Sequence, residues 1–69
     1  ELGEIEAVLA NYEGIKQSIV VAKEHKNVNG KYLVGYYIAE IKLDEESILN
    51  YLYSRLPEYM IPNVLIHVR

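Results

Sequence analysis

The sequence predicts an α+β two-layer sandwich in the order α-β-β-α-β, with a small, mostly antiparallel sheet and two helices on one face. Three observations carry this expectation. Apolar residues recur at helical spacing near the N-terminus and again just before Pro57. Two runs rich in β-branched residues lie between those segments, joined by a polar connector containing Asn29-Gly30. A short alternating run follows the second proline. Helices and strands of this number bury their apolar faces best as two layers around one core. With 69 residues, the chain is expected to form a single small domain, residues 1–69.

Each element has its own local reason. Leu2, Ile5, Val8, Leu9 and Tyr12 share one helical face, and Glu1 and Glu4 stand in the first turn, where negative charge suits the helix dipole. This predicts a helix from Leu2 to Tyr12, closed by a left-handed cap at Gly14. Ile15 to Lys23 reads as a strand, and both its faces turn apolar at Val20-Val21-Ala22, the pattern of a strand covered on both sides. Asn29-Gly30 suits a tight turn, and Tyr32 to Ala39 reads as an antiparallel partner strand. Gly35 in its middle marks a bulge or a close backbone approach.

Asp44 is a good N-cap, Glu45 and Glu46 fill the first turn, and Leu43 and Ile48 fit a hydrophobic staple. Ile48, Leu49, Leu52 and Leu56 form the buried stripe, Arg55 sits near the C-terminal end, and Pro57 ends the helix. Beyond it, Asn63 to Arg69 reads as a third strand.

Composition narrows the function classes. The chain is 51% hydrophobic and 25% charged, a globular balance. It has no cysteine, so neither a disulfide nor a Cys/His zinc site is available to a body of marginal size. The expectation is that it leans on something larger. A net charge of -3 argues against nucleic acid, and Lys23, Lys26 and Lys31 read as a solvated hairpin end. No apolar run approaches a membrane span, and no segment resembles a signal peptide.

The search for chemistry finds no active site. Gly3, Gly14, Gly30 and Gly35 match no phosphate-loop spacing. Ser18, Ser47 and Ser54 fall within regular structure, away from any strained elbow. His25 and His67 sit on different elements and lack the convergent donors a zinc ion needs. Glu1, Glu4 and Glu6 are ordinary for a helix start, and nothing near them marks a displaced pKa. The seven tyrosines, Tyr36 and Tyr37 on opposite faces among them, read as amphipathic core and edge residues.

Two strings nevertheless carry a resemblance. Leu56-Pro57-Glu58-Tyr59-Met60-Ile61-Pro62 closely resembles the Leu-Pro-x-Tyr-Met-Ile/Val-Pro core motif of amino-acid adenylation domains in nonribosomal peptide synthetases. Glu1-Leu2-Gly3-Glu4-Ile5-Glu6 resembles the tail of the preceding core motif, Arg-x-Glu-x-Gly-Glu-Ile-Glu. Leu33-Val34-Gly35-Tyr36 follows the family's strand pattern as well. The resemblance covers essentially the whole chain and identifies it as the smaller C-terminal subdomain of such an enzyme.

The resemblance implies a mobile subdomain of an ATP-dependent ligase. The whole enzyme activates an amino acid as aminoacyl-AMP, with ATP and Mg, and loads it onto the phosphopantetheine thiol of a carrier protein. The implied partners are the large N-terminal adenylation subdomain and a peptidyl carrier protein domain, with no nucleic acid and no membrane, in a cytoplasmic setting. The family's catalytic lysine, in Asn-Gly-Lys, is expected beyond Arg69, and its Arg-Gly-x-Arg loop before Glu1. Asn29-Gly30-Lys31 spells the lysine motif in the wrong place, so Lys31 reads as a hairpin residue. The 69 residues alone are therefore expected to be inactive and to bind no cofactor or metal. Glu1, Leu2, Gly3, Glu4, Tyr59, Met60 and Pro62 are the motif and subdomain-interface candidates. Two alternatives stand beside this reading: the subdomain of an acyl-CoA synthetase or stand-alone carrier-protein ligase, and a non-enzymatic α+β interaction module.

Overall fold

The computed structural model describes residues 1–24 and 30–69. Helix α1 spans Leu2–Ala10, strands β1 and β2 span Gln17–Glu24 and Lys31–Ile38, and helix α2 spans Glu45–Tyr53. A 3-10 turn at Glu58–Met60 leads into strand β3, Val64–Val68. The element order is the expected one. His25, Lys26 and Asn29 lie outside the described residues.

The sheet has the order β1-β2-β3. The first pair is antiparallel, with Val20 opposite Gly35, whereas β3 runs parallel to β2, with Leu65 opposite Gly35. The sheet is therefore mixed, with one pairing of each kind. The direction of β3 follows from its connection: α2 is a crossover, and a crossover returns the chain for parallel pairing where a hairpin cannot. Ser18 and Val20 of β1 and Gly35 and Tyr37 of β2 are buried on the face that meets the helices. Ile5 and Leu9 of α1 and Ile48 and Leu52 of α2 close on them, forming one core with Met60 and Ile61.

Local chemistry explains where the elements stop. The helix expected to reach Tyr12 ends at Ala10, because Asn11 and Tyr12 donate to the carbonyls of Val8 and Leu9 in tighter three-residue steps. Gly14 does not cap it. With φ at +98°, Gly14 instead turns the chain toward β1, and Ile15 N–H donates to Tyr12 O across that turn.

At α2, Asp44 is the expected N-cap, accepting from Ser47 N–H at 3.0 Å and from Ser47 Oγ at 2.7 Å. The helix stops at Tyr53, before Pro57 can break it. There Ser54 Oγ donates to Tyr51 O at 2.7 Å, and Leu56 N–H reaches back to Leu52 O in a closing turn. Arg55 lies beyond the helix end and stacks over the Tyr51 ring, 3.9 Å from its centroid. Tyr12 meets the same Tyr51 ring edge-on.

Three further contacts fix the sheet. Glu6 of α1 reaches the margin of β1, where its carboxylate accepts from Val20 N–H at 2.8 Å and its carbonyl from Ser18 Oγ at 2.6 Å. Buried Tyr37 pins the loop before α2, its hydroxyl accepting from Leu43 N–H at 3.0 Å. His67 donates from Nε2 to Ala39 O at 2.8 Å and lies against Tyr37, a half-buried structural role. At Gly35 the register runs unbroken, so the glycine marks a close approach and not a bulge. An added Cβ would stand 3.1 Å from Leu65 Cδ2 and 3.4 Å from Pro62 Cγ.

Candidate functional site

The two recognisable strings come from opposite ends of the chain and share one core. The first is the opening of α1. Glu1 is its N-cap residue, makes no side-chain cap bond, and accepts at its carbonyl from Glu4 and Ile5 N–H. Leu2, Gly3 and Glu4 face solvent, while Ile5 is buried. A Cβ at Gly3 would meet only Glu1 Oε1, at 3.5 Å, so packing does not require the glycine there.

The second is the corner after α2. Pro57 is extended, with ψ at 156°, as its position ahead of a new turn demands. Met60 N–H then donates to Pro57 O and Ile61 N–H to Glu58 O, which folds Glu58–Met60 into a single 3-10 turn. The turn sends Met60 and Ile61 into the core beside Ile5 and leaves Tyr59 80% exposed. Pro62 is buried against the space left by Gly35. The candidates thus divide by burial. Met60 and Pro62 anchor the corner from inside, whereas Glu1, Leu2, Gly3, Glu4 and Tyr59 are available to a neighbour.

One residue of this region lacked any sequence signal beyond a strand start. Asn63 donates from its backbone N–H to Leu33 O and accepts at Oδ1 from Leu33 N–H, both at 2.9 Å. This double bond carries the corner straight into the sheet. An asparagine next to a proline hints at a turn, but its partner across the sheet is a tertiary fact.

Among the described residues no three His, Cys, Asp or Glu side chains converge for a metal ion. The Ser47 hydroxyl and then the Ser47 N–H, both donating to Asp44, hold its carboxyl below the ordinary value. That is the signature of a helix cap, not of an acid–base pair. Lys31 opens β2 opposite Glu24, as a hairpin residue would. Among the described residues no helix is long and apolar enough to cross a membrane. The arrangement offers a neighbour an exposed first turn and an exposed aromatic on one packed core.

Known proteins resemble the chain over nearly all its length. It is 53% identical over 68 residues to N-(5-amino-5-carboxypentanoyl)-L-cysteinyl-D-valine synthase of Penicillium rubens, covering 99% of this chain and 2% of that protein. Gramicidin S synthase 2 of Brevibacillus brevis is 41% identical over 66 residues, covering 96% of this chain and 2% of the relative. The chain thus spans only about 2% of the length of these curated relatives. Among solved structures, a holo four-domain nonribosomal peptide synthetase bound to AMP and glycine superposes with a TM-score of 0.87 at 36% identity, over 97% of this chain and 5% of that one. The model of the AMP-binding enzyme C-terminal domain matches residues 4–69, and the chain belongs to that family.

Proposed function

We propose that this unit is the mobile C-terminal subdomain of an ATP-dependent, amino-acid-adenylating enzyme of nonribosomal peptide synthesis. The 53% identity with a peptide synthase carries this reading, because the aligned stretch takes in 68 of the 69 residues. In the proposed enzyme an amino acid is activated as aminoacyl-AMP with release of pyrophosphate, with Mg accompanying ATP. The acyl group then passes to the phosphopantetheine thiol of a peptidyl carrier domain. In this scheme the large N-terminal subdomain supplies the nucleotide seat, and the setting is the cytoplasm.

The unit's part is to reorient as a body between the two half-reactions, completing each site from separated parts. Glu1, Leu2, Gly3, Glu4 and Tyr59 face the neighbouring subdomain or carrier in this scheme. Met60 and Pro62 hold the corner that presents Tyr59.

The test uses the full-length parent. Amino-acid-dependent pyrophosphate exchange is measured before and after a Lys→Ala change in an Asn-Gly-Lys string following β3. Exchange that depends on an amino acid and collapses in the variant supports the proposal. Exchange with a fatty acid instead, or indifference to the change, overturns it.

A further inference from the structure

The three-stranded sheet has two edges, and they are treated differently. At the β1 edge, Glu6 of α1 accepts from Val20 N–H on its carboxylate and from the Ser18 hydroxyl on its carbonyl, so the helix occupies the middle of that strand. The β3 edge has no such guard. Leu33 O accepts from Asn63 N–H and Ala39 N–H donates to Val68 O, while Ile38 O turns the other way, to Lys16 N–H. This phase gives the bonds with β2 to Val64, Ile66 and Val68, and it aims the N–H and C=O groups of Leu65 and His67 out of the sheet. Among the described residues nothing bonds to those outward groups. Natural edges are blunted by a lysine, a proline, a bulge or a cover. Val64–Val68 holds no charged residue and no proline, and its register with β2 is unbroken.

We propose that the β3 edge pairs with the β3 edge of a second copy of this chain, antiparallel and centred on Ile66. The inference does not rest on the enzymatic reading, and it concerns an edge to which that reading gives no role.

Register is the first reason for this occupant. About a two-fold axis through Ile66, Leu65 of each copy stands opposite His67 of the other, so the outward groups meet as reciprocal hydrogen-bonded pairs. Ile66 then faces its own counterpart in a non-hydrogen-bonded pair, where side chains lie closest, and Val64 faces Val68. Charge is the second. From Asn63 onward Arg69 is the only Lys, Arg, Asp or Glu, and it falls opposite Asn63 of the other copy, so no like charges meet. Closure is the third. A β3 edge against a β1 edge would build an open row of copies, and Glu6 bars that contact. The two-fold contact joins two three-stranded sheets into one and leaves only guarded β1 edges outside. Five paired residues extend about 17 Å, a small contact, so the association is reversible.

The experiment uses the full-length parent, sedimented over a range of concentrations. The expected result is a monomer–dimer equilibrium that Ile66→Lys and Ile66→Glu each weaken at least about tenfold, because like charges then oppose each other on the axis. An equimolar mixture of the two variants should recover the dimer. Independently, in a parent whose accessible cysteines are replaced, Ile66→Cys should form an intermolecular disulfide under mild oxidation. Val68→Cys should not, since position 68 lies about 13 Å along the strand from its own counterpart. A parent monomeric at every concentration, a mixture without recovery, or equal cross-linking at positions 66 and 68 each overturns the proposal. If the charged variants fail to fold, the cysteine pair decides alone. Pyrophosphate exchange in the same samples reports the enzymatic reading separately: a paired edge in a parent without exchange removes that reading alone.

Discussion

Replacing Gly35 with alanine tests the packing of the corner against the sheet. The glycine needs no unusual backbone, since positive φ occurs only at Gly14 and Gly30 among the described glycines. Alanine would therefore be accepted by the strand and, taken alone, would stabilise it by about 0.5–1 kcal/mol through the unfolded chain. The new Cβ meets Leu65 Cδ2 at 3.1 Å, however, with Pro62 Cγ at 3.4 Å and Leu9 Cδ2 at 3.5 Å behind it. Carbon atoms prefer about 3.5–4.0 Å, so Leu65 must retreat by roughly 0.4 Å or more. Leu65 is half-buried and its tip is flexible, which puts the overpacking cost near the low end of its range, about 1 kcal/mol.

The two effects nearly cancel, so Gly35→Ala should change stability by less than about 0.5 kcal/mol in the native background. In a Leu65→Ala background the clash disappears, and the same change should stabilise by about 0.5–1 kcal/mol. The signature is a coupling of about 1 kcal/mol between the two positions. Urea unfolding of all four proteins, followed by circular dichroism, resolves it as a relative midpoint shift of about 1 M for a body of this size. An identical Gly35→Ala effect in both backgrounds would refute the argument that Leu65 sets the glycine.

Substitutions at three other residues probe separate contacts. Leu52→Ala empties a fully buried site in α2 and should cost about 2–5 kcal/mol, a large share of the ~3–10 kcal/mol typical of a chain this short, and thermal melting should show a broad, strongly lowered transition. Glu6→Ala removes the acceptor of Val20 N–H, so amide exchange at Val20 should accelerate with a loss of about 1 kcal/mol, while Glu6→Gln should preserve most of the protection. Asp44 has a carboxyl held below its ordinary 3.8, so its contribution is present above that value and fades as pH falls through the lowered pKa of the folded state. Asp44→Asn should keep the cap yet remove this acid-side decline, whereas Asp44→Ala should lower the melting temperature across the whole range.

Much of the fold was legible because its signals are local. Asp44 and the acidic turn after it announce α2 through neighbours three residues away, and the alternation of β1 and β2 separates Tyr36 from Tyr37 directly. The ends were less legible. Pro57 is an obvious stop, yet the Ser54 hydroxyl and the Leu56 closing turn end α2 first, and such competition between side chain and backbone leaves no pattern in the sequence. The direction of β3 depends on where α2 lays the chain, and the reach of Glu6 to Val20 spans two elements. Both are products of packing.

The candidate site divides in the same way. The strings Glu1–Glu6 and Leu56–Pro62 are readable as strings, whereas their meeting through Ile5, Met60 and Ile61 exists only in three dimensions. Val20-Val21-Ala22 is a separate case. Its two apolar faces read as a strand covered on both sides, and among the described residues the helices cover one of them.

Asn63 has a consequence for how the corner tolerates change in length. Its two bonds to Leu33 act as a register mark, so the count of residues from Asn63 onward decides which side chains of β3 look inward. One residue inserted between Asn63 and Val64 would exchange the faces of the strand, turning Leu65 and His67 out and Val64, Ile66 and Val68 toward the helices. His67 would then leave Ala39, and Leu65 would leave its place over Gly35. An insertion at the exposed Ser54-Arg55 step, beyond the end of α2, would leave the Asn63–Leu33 bonds and so the faces of β3 as they are. The corner therefore separates the residue count that seats α2 from the count that sets the faces of β3.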